Sequence, residues 1–154
     1  MAPKADEDPL ITVRRAAMNL LARREQSFFE LTQKLSEKYP DLDKAEVILP
    51  ALERLRDENL QSDERFVEAY ARYRQTRGMG PLKIGMEMGQ KGINDNLIYS
   101  ALYNADIDWF SHCREVVAKK FPQGPADSMN ERQKQYRFLS QRGFDTEQIR
   151  KALG

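Results

Sequence analysis

SDERFVEAYARYRQTRGMGPLKIGMEMGQKGI, residues 62–93, decides the fold. Phe66, Ala69, Tyr70 and Tyr73 recur at the i, i+3, i+4, i+7 spacing of one helix face. Ser62 and Asp63 stand in place to cap that helix, and Asp63 and Glu64 fill its first turn. Gly78 and Gly80 then break it, and Pro81 suits the first turn of a second helix. Ile84 and Met88 continue an apolar stripe until Gly92 supplies a C-terminal stop. The stretch therefore predicts a helix-turn-helix pair with Phe66, Tyr70, Tyr73 and Met88 facing inward. Core packing is the expected role of these aromatics, and a base-stacking platform is the alternative. Between Glu68 and Glu87 no acidic residue occurs, while Arg72, Arg74, Arg77 and Lys83 all do. Such a run is either a solvated helix face or a cationic patch that meets an anionic surface.

Working outward toward the N-terminus, a first helix carries Val13, Ala16, Ala17, Leu20 and Leu21 on one side, with Thr12 as its expected cap. Ser27 restarts the chain as a helix bearing Phe28, Leu31 and Leu35. It ends near Tyr39-Pro40, because a residue before proline is biased out of the helical region. A third helix is expected over residues 43–59, with Val47, Ile48, Ala51, Leu52 and Leu55 inward, and Pro50 should kink or split it. Residues 1–9, MAPKADEDP, combine two prolines with charges and no apolar periodicity, so a disordered leader is expected there.

This three-helix pattern recurs. A shift of 53 places Val13 on Phe66, Ala16 on Ala69, Leu20 on Tyr73, Arg24 on Arg77, Leu31 on Ile84 and Leu35 on Met88. A shift of 50 then sets Ile48, Ala51 and Leu52 on Ile98, Ala101 and Leu102, and a further 51 sets Lys91-Gly92-Ile93 on Arg142-Gly143-Phe144. The last block begins at Asp106 or Asp108, carries Phe110, Cys113, Val117 and Phe121, and is broken by FPQGPADSMN, a candidate hinge, before Tyr136, Phe138, Leu139, Ile149 and Leu153. A period of about fifty residues marks a stacked helical array. The expected fold is all-α, an elongated and gently curved array of three tandem three-helix repeats, residues 10–60, 61–106 and 107–154.

Composition bounds function. Across 154 residues, 40% are hydrophobic and 32% charged, and the formal net charge of +1 means that any contact with a polyanion must come from a local patch. One cysteine, Cys113, leaves no intramolecular disulfide. No apolar run approaches the ~20 residues of a membrane span, and no signal peptide opens the chain, so no membrane association and a cytoplasmic location are expected. Chemistry is sparse. His112 and Cys113 are neighbours whose helical side chains point about 100° apart, so they do not make a nucleophile–base pair. No CxxC, HxxxH or HExxH spacing occurs, and Gly78-Met79-Gly80 lacks a following Gly-Lys-Ser/Thr. No cofactor, metal or catalytic residue is expected, and the glycine turn is read as a device that defines the repeat.

Residues 62–93 also carry a family pattern: Asp63-Glu64-Arg65-Phe66 at the start, Ala69-Tyr70-Ala71-Arg72-Tyr73-Arg74 in the middle, Arg77-Gly78-Met79-Gly80-Pro81-Leu82-Lys83-Ile84 at the turn and Lys91-Gly92-Ile93 at the end. It resembles the central repeat of the RecX family, regulators of the RecA recombinase. Gly85 and Gly89 depart from that pattern, which more usually has larger, often polar or basic, residues there. Each glycine costs a helix about 1 kcal/mol against alanine, so this helix should lean on packing. The resemblance implies a regulatory protein without catalytic activity that lies along a RecA filament on single-stranded DNA. It would bridge protomers, inhibit strand exchange and ATPase, and so modulate recombination, DNA repair and the SOS response.

With the resemblance, contact with RecA or DNA is expected through Arg72, Arg74, Arg77, Lys83 and Lys91. Secondary candidates are Arg14, Arg15, Arg23, Arg24, Arg132, Lys134 and Arg137. Trp109, beside Asp106 and Asp108, either packs between the second and third repeats or anchors a partner. Single-stranded DNA is met directly or through the filament, and a monomer is expected. Two other classes are compatible with the residues: an autonomous DNA-binding protein of helix-turn-helix type, which requires recognition residues at a helix start and usually a symmetric dimer, and a structural helical adaptor.

Overall fold

The computed structural model describes residues 6–104 and 106–154, and among them every regular element is helical. In order these are α1 (Pro9–Arg23), α2 (Phe28–Lys38), a π turn (Lys44–Ile48) running into α3 (Leu49–Asp57), α4 (Asp63–Thr76), α5 (Pro81–Gln90), α6 (Asp95–Tyr103), α7 (Trp109–Lys120), α8 (Met129–Gln141) and α9 (Thr146–Leu153). Three helices thus follow one another three times. The chain divides into two compact units. One runs up to Ala69 and includes Lys91–Ile93; the other is Tyr70–Gln90 with Asn94–Gly154.

In the first unit, α1, α2 and α3 close on a core of Val13, Ala17, Leu31, Leu35, Ile48, Leu52 and Leu55, with Tyr39 sealing its edge. The first helix starts earlier than expected. Asp8, not Thr12, caps α1 by accepting the Leu10 N–H at 2.9 Å, and Pro9 is its first residue, where a missing N–H costs nothing. Glu7 accepts from the Thr12 hydroxyl at 2.9 Å and binds Arg15, so the expected leader is ordered structure from Glu7 onward. Residues 1–5 lie outside the described residues. Pro50 splits the third helix, as its chemistry requires. It cannot donate to the Glu46 carbonyl, and the chain ahead of it widens into a π turn in which the Ile48 N–H reaches the Asp43 carbonyl at 3.2 Å.

The same unit holds the Lys91-Gly92 turn against the start of α2. The Ser27 hydroxyl caps α2 by accepting the Glu30 N–H at 3.0 Å and itself donates to the Lys91 carbonyl at 2.8 Å. Glu30, buried beneath, accepts from Arg24 at 2.9 Å and Lys91 at 3.1 Å. Burial works to raise its pKa, but Arg24, the Ser27 N–H and Lys91 outweigh that and hold it at about 2. At the beginning of α4, Ser62 is the cap, accepting from Arg65 at 3.2 Å, while Asp63 turns to the Phe28 N–H at 2.9 Å.

In the second unit Ile84, Met88, Leu102, Cys113, Val117, Leu139, Phe144, Ile149 and Leu153 are all buried. Its central contact is between two turns. The Gly80 N–H donates to the Arg142 carbonyl at 2.7 Å and the Leu82 N–H to the Gly143 carbonyl at 2.9 Å, so the entry to α5 is bonded backbone-to-backbone to the exit of α8. A Cβ at Gly80 would stand 2.6 Å from the Gly143 backbone. Gly143 has φ +97, and a Cβ there would stand 2.3 Å from that of Lys83. His112 ties the turn from below, its Nε2 lying 3.2 Å from the Met79 carbonyl and its ring between Trp109 and Phe144. That partner selects the tautomer with Nε2 protonated.

Close approach explains one of the two extra glycines of α5: a Cβ at Gly85 would be 3.3 Å from both Ile98 and Leu102 of α6, whereas one at Gly89 would be 4.0 Å from Ile98, an ordinary contact. FPQGPADSMN is tied rather than hinge-like. Buried Gln135 accepts from the Ala126 N–H at 3.0 Å and donates to the Gly124 carbonyl at 3.2 Å.

Leu52 and Leu102, at equivalent repeat positions, are 0% and 1% exposed. Leu52→Ala and Leu102→Ala should each cost about 2 to 5 kcal/mol in denaturant unfolding; a neutral result at either would remove that residue from the core. Gly143→Ala should lower stability by about 2 kcal/mol or more, from the left-handed backbone and the clash together. Because the folded pKa of Glu30 lies near 2 and its ordinary value is 4.5, its contribution, up to about 3 kcal/mol, is complete above pH 4.5 and disappears as the pH falls toward 2. Glu30→Gln should therefore destabilise the chain at pH 6 much more than at pH 3. An equal loss at both would contradict the assignment.

Candidate interaction site: a basic cleft

The end of α4, the outer face of α7 and the end of α8 border an open cleft of about 790 Å³ in the second unit. The docked turns set its geometry, since they fix the end of α4 and the end of α8 to each other. Five cations line it, Arg72, Arg77, Lys119, Lys120 and Arg142, against one carboxylate, Glu115, and Val116 and Phe138 supply apolar wall. None of the five is ion-paired among the described residues. Arg142 is held in place: its Nη1 donates to the Arg77 carbonyl at 3.0 Å and its guanidinium lies 4.8 Å from the Phe138 ring centroid. Lys120 lies 5.3 Å from the same ring, and Arg77 5.5 Å from that of Tyr73. Cations held over aromatic faces keep their charge at low entropic cost and remain able to meet an anion.

Of the primary candidates from the sequence, Arg72 and Arg77 line this cleft. Arg74 does not. It makes a two-pronged pair with Glu87 at 2.9 and 3.0 Å, and Tyr70 donates to the same carboxylate at 2.9 Å. Glu87 sits outside the acid-free run but one helix away in space, which is why the charge pattern overstated the patch. Lys83 is half-buried and reaches the Gln141 carbonyl at 3.5 Å, and Lys91 is engaged by Glu30 in the first unit.

The secondary candidates separate the same way. Arg14 is paired with Glu58 at 2.7 Å, Arg15 with Glu7, and Arg24 with Glu30. Arg132 donates to the Ala126 and Leu153 carbonyls at 3.2 and 2.8 Å, and Lys134 to Glu131 at 3.3 Å. Arg23 and Arg137 are exposed. Trp109 is 5% exposed and donates its indole N–H to the Leu102 carbonyl at 2.7 Å, so it packs between α6 and α7, the first of the two roles expected for it. Tyr73, expected inward, is 51% exposed; Val67 and Ala71 take the buried face instead. Lys119, Lys120 and Arg142, which complete the cleft, come from the last repeat and carried no signal near residues 62–93.

Elsewhere the reactive groups are quiet. Burial pushes the Cys113 thiol up to about 12, with Asp145 adding to it, so no thiolate is available near neutral pH. Burial also lowers the His112 pKa, against the opposing pull of the Met79 carbonyl. No cluster of metal-ligating side chains occurs among the described residues, and no helix there is long and apolar enough to cross a membrane.

Arg72→Glu should be structurally silent, because Arg72 is exposed and unpaired, whereas Arg74→Glu should lower stability by about 2 kcal/mol by setting a second carboxylate against Glu87. Thermal melts of the two variants decide this; equal melting temperatures would contradict it.

Comparison with known proteins meets this structure at the level of sequence and fold. The model for the second three-helix domain of RecX matches residues 62–102 and that for the third matches residues 106–153. The chain is 43% identical over 148 residues to the regulatory protein RecX of Pseudomonas entomophila strain L48, covering 95% of this chain and 92% of that one. It is 44% identical over 147 residues to the regulatory protein RecX of Pseudomonas fluorescens, covering 95% and 92%. Among solved structures, the crystal structure of RecX from Lactobacillus salivarius superposes with a TM-score of 0.74 at 23% identity over 95% of both chains, a likeness of fold. With two of its three-helix domains matched and more than two-fifths of its residues shared with named relatives along almost its whole length, the chain belongs to the RecX family.

Proposed function

We propose that this protein binds filaments of the RecA recombinase assembled on single-stranded DNA and inhibits their strand exchange and ATPase, so modulating recombination and DNA repair. It acts by binding, as a cytoplasmic monomer without catalysis of its own, and the basic cleft of the second unit is its main contact. The observation that carries the reading is the convergence of five cations from two repeats on one cleft with a single carboxylate among them. In a chain whose net charge is only +1, that is a local field built for an anionic surface. A tandem array suits a polymeric partner, because repeated units can touch more than one protomer and each further contact is made at high effective concentration. Single-stranded DNA is reached through the filament or beside it.

The test is RecA ATPase activity on single-stranded DNA with substoichiometric protein added. Inhibition is expected, and no effect would overturn the reading. Lys119→Glu with Lys120→Glu and Arg72→Glu, all on exposed positions, should leave the helical circular dichroism unchanged and weaken inhibition about tenfold or more. Inhibition by the wild type should also fall as salt rises, since exposed charges are screened over about 8 Å at physiological ionic strength. Full inhibition by the folded triple variant would place the contact outside the cleft.

A further inference from the structure

We infer that the ligand of the basic cleft is an acidic, extended segment of protein bearing an apolar side chain, and not a nucleic-acid strand. The inference rests on the preceding reading of the cleft as the contact surface and specifies what enters it. The first observation is the aromatic residue. Sites that take single-stranded nucleic acid offer open ring faces on which bases stack. Here Phe138 has Arg142 at 4.8 Å and Lys120 at 5.3 Å over its ring and Phe121 packed edge-on at 5.5 Å, so its surroundings are already occupied by this chain. Tyr73 is 51% exposed but is not among the residues that line the cleft.

The second observation is the wall. In a cleft of about 790 Å³, Val116 stands among the five cations. A phosphate backbone has no aliphatic group to set against it, whereas a short peptide can place carboxylates against the cations and one apolar side chain against Val116. The third is the guanidinium of Arg142. With one nitrogen committed to the Arg77 carbonyl and its plane fixed over Phe138, it presents its remaining donors in a set direction, which matches the two oxygens of a carboxylate. Charge complementarity therefore selects an acidic partner, and wall chemistry selects protein.

Fluorescence anisotropy tests this with three labelled probes on the full chain: an acetylated Asp-Leu-Asp-Glu-Leu-Asp peptide, the same peptide with serine for leucine, and a hexathymidylate. The leucine peptide should bind best, the serine peptide several-fold more weakly, and Lys119→Glu with Lys120→Glu should weaken the leucine peptide about tenfold. Hexathymidylate should bind more weakly than the leucine peptide. Tighter binding of hexathymidylate that is lost in the same variant would overturn the inference, as would failure of both peptides to bind. Inhibition of RecA ATPase measured in parallel keeps the two readings apart. If inhibition depends on the cleft but neither peptide binds, the proposed function stands and the peptide ligand falls; if the peptide binds through the cleft while inhibition is absent, the reverse holds.

Discussion

Two hydrogen bonds between backbones, Gly80 N–H to the Arg142 carbonyl and Leu82 N–H to the Gly143 carbonyl, are the constraint on which the second unit depends. Each adds only about 1 kcal/mol net, but the geometry excludes any side chain at the contact and so dictates glycine at both turns. The first unit solves the equivalent problem with a side chain: the Ser27 hydroxyl reaches the Lys91 carbonyl, and Glu30 clamps the turn from below. Gly92 is needed there for the same reason, since a Cβ on it would meet that of Phe29 at 2.4 Å. Two chemistries thus hold the same step between successive repeats. In the second unit the backbone version leaves the Arg142 side chain outside the contact, where it lines the cleft.

The cleft follows from that step. Docking the turn after α4 onto the turn after α8 brings cations from residues 72–77 beside those from residues 119–142 without any charged pair joining them. Several cations elsewhere are spent on structure: Arg14, Arg15, Arg24 and Arg74 each hold a carboxylate, and Arg132 donates to the Ala126 carbonyl ahead of α8 and to the Leu153 carbonyl at the end of α9. A net charge near zero therefore conceals a local excess, five cations against one carboxylate in the cleft, although other cations such as Arg23 and Arg137 stand exposed elsewhere. That local excess is the physical basis for the regulatory binding proposed.

Much of the fold was legible from spacing. Val13, Leu31, Leu52, Ile84, Leu102 and Ile149 were placed inward by periodicity and repeat offset, and all are buried. Errors arose where a local rule met a distant partner. Thr12 read as a cap because the apolar period begins beside it, yet Asp8 and Pro9 make a better start one turn earlier. Tyr73 fits the helix stripe, but the stripe turns toward Val67 and Ala71, and Tyr73 is left to carry Arg77. The site was half visible. Arg72 and Arg77 stood out as an acid-free run, while Lys119, Lys120 and Arg142 lie far along the chain and join them only through the docked turns. No one-dimensional charge pattern could reveal that, or that Glu87 neutralises Arg74.

Gly80 and Leu82 lie at the very start of α5, where backbone N–H groups have no partner within their own helix. Amide hydrogen exchange on the whole protein at neutral pH isolates the docked turns, because among the described residues these two amides bond only to the Arg142 and Gly143 carbonyls. They should exchange as slowly as the amides of the buried helices, with protection near that of global unfolding. Rapid exchange at Gly80 and Leu82 beside protected interior amides of α5 would show that the two turns are not joined, and the cleft they build would lose its foundation.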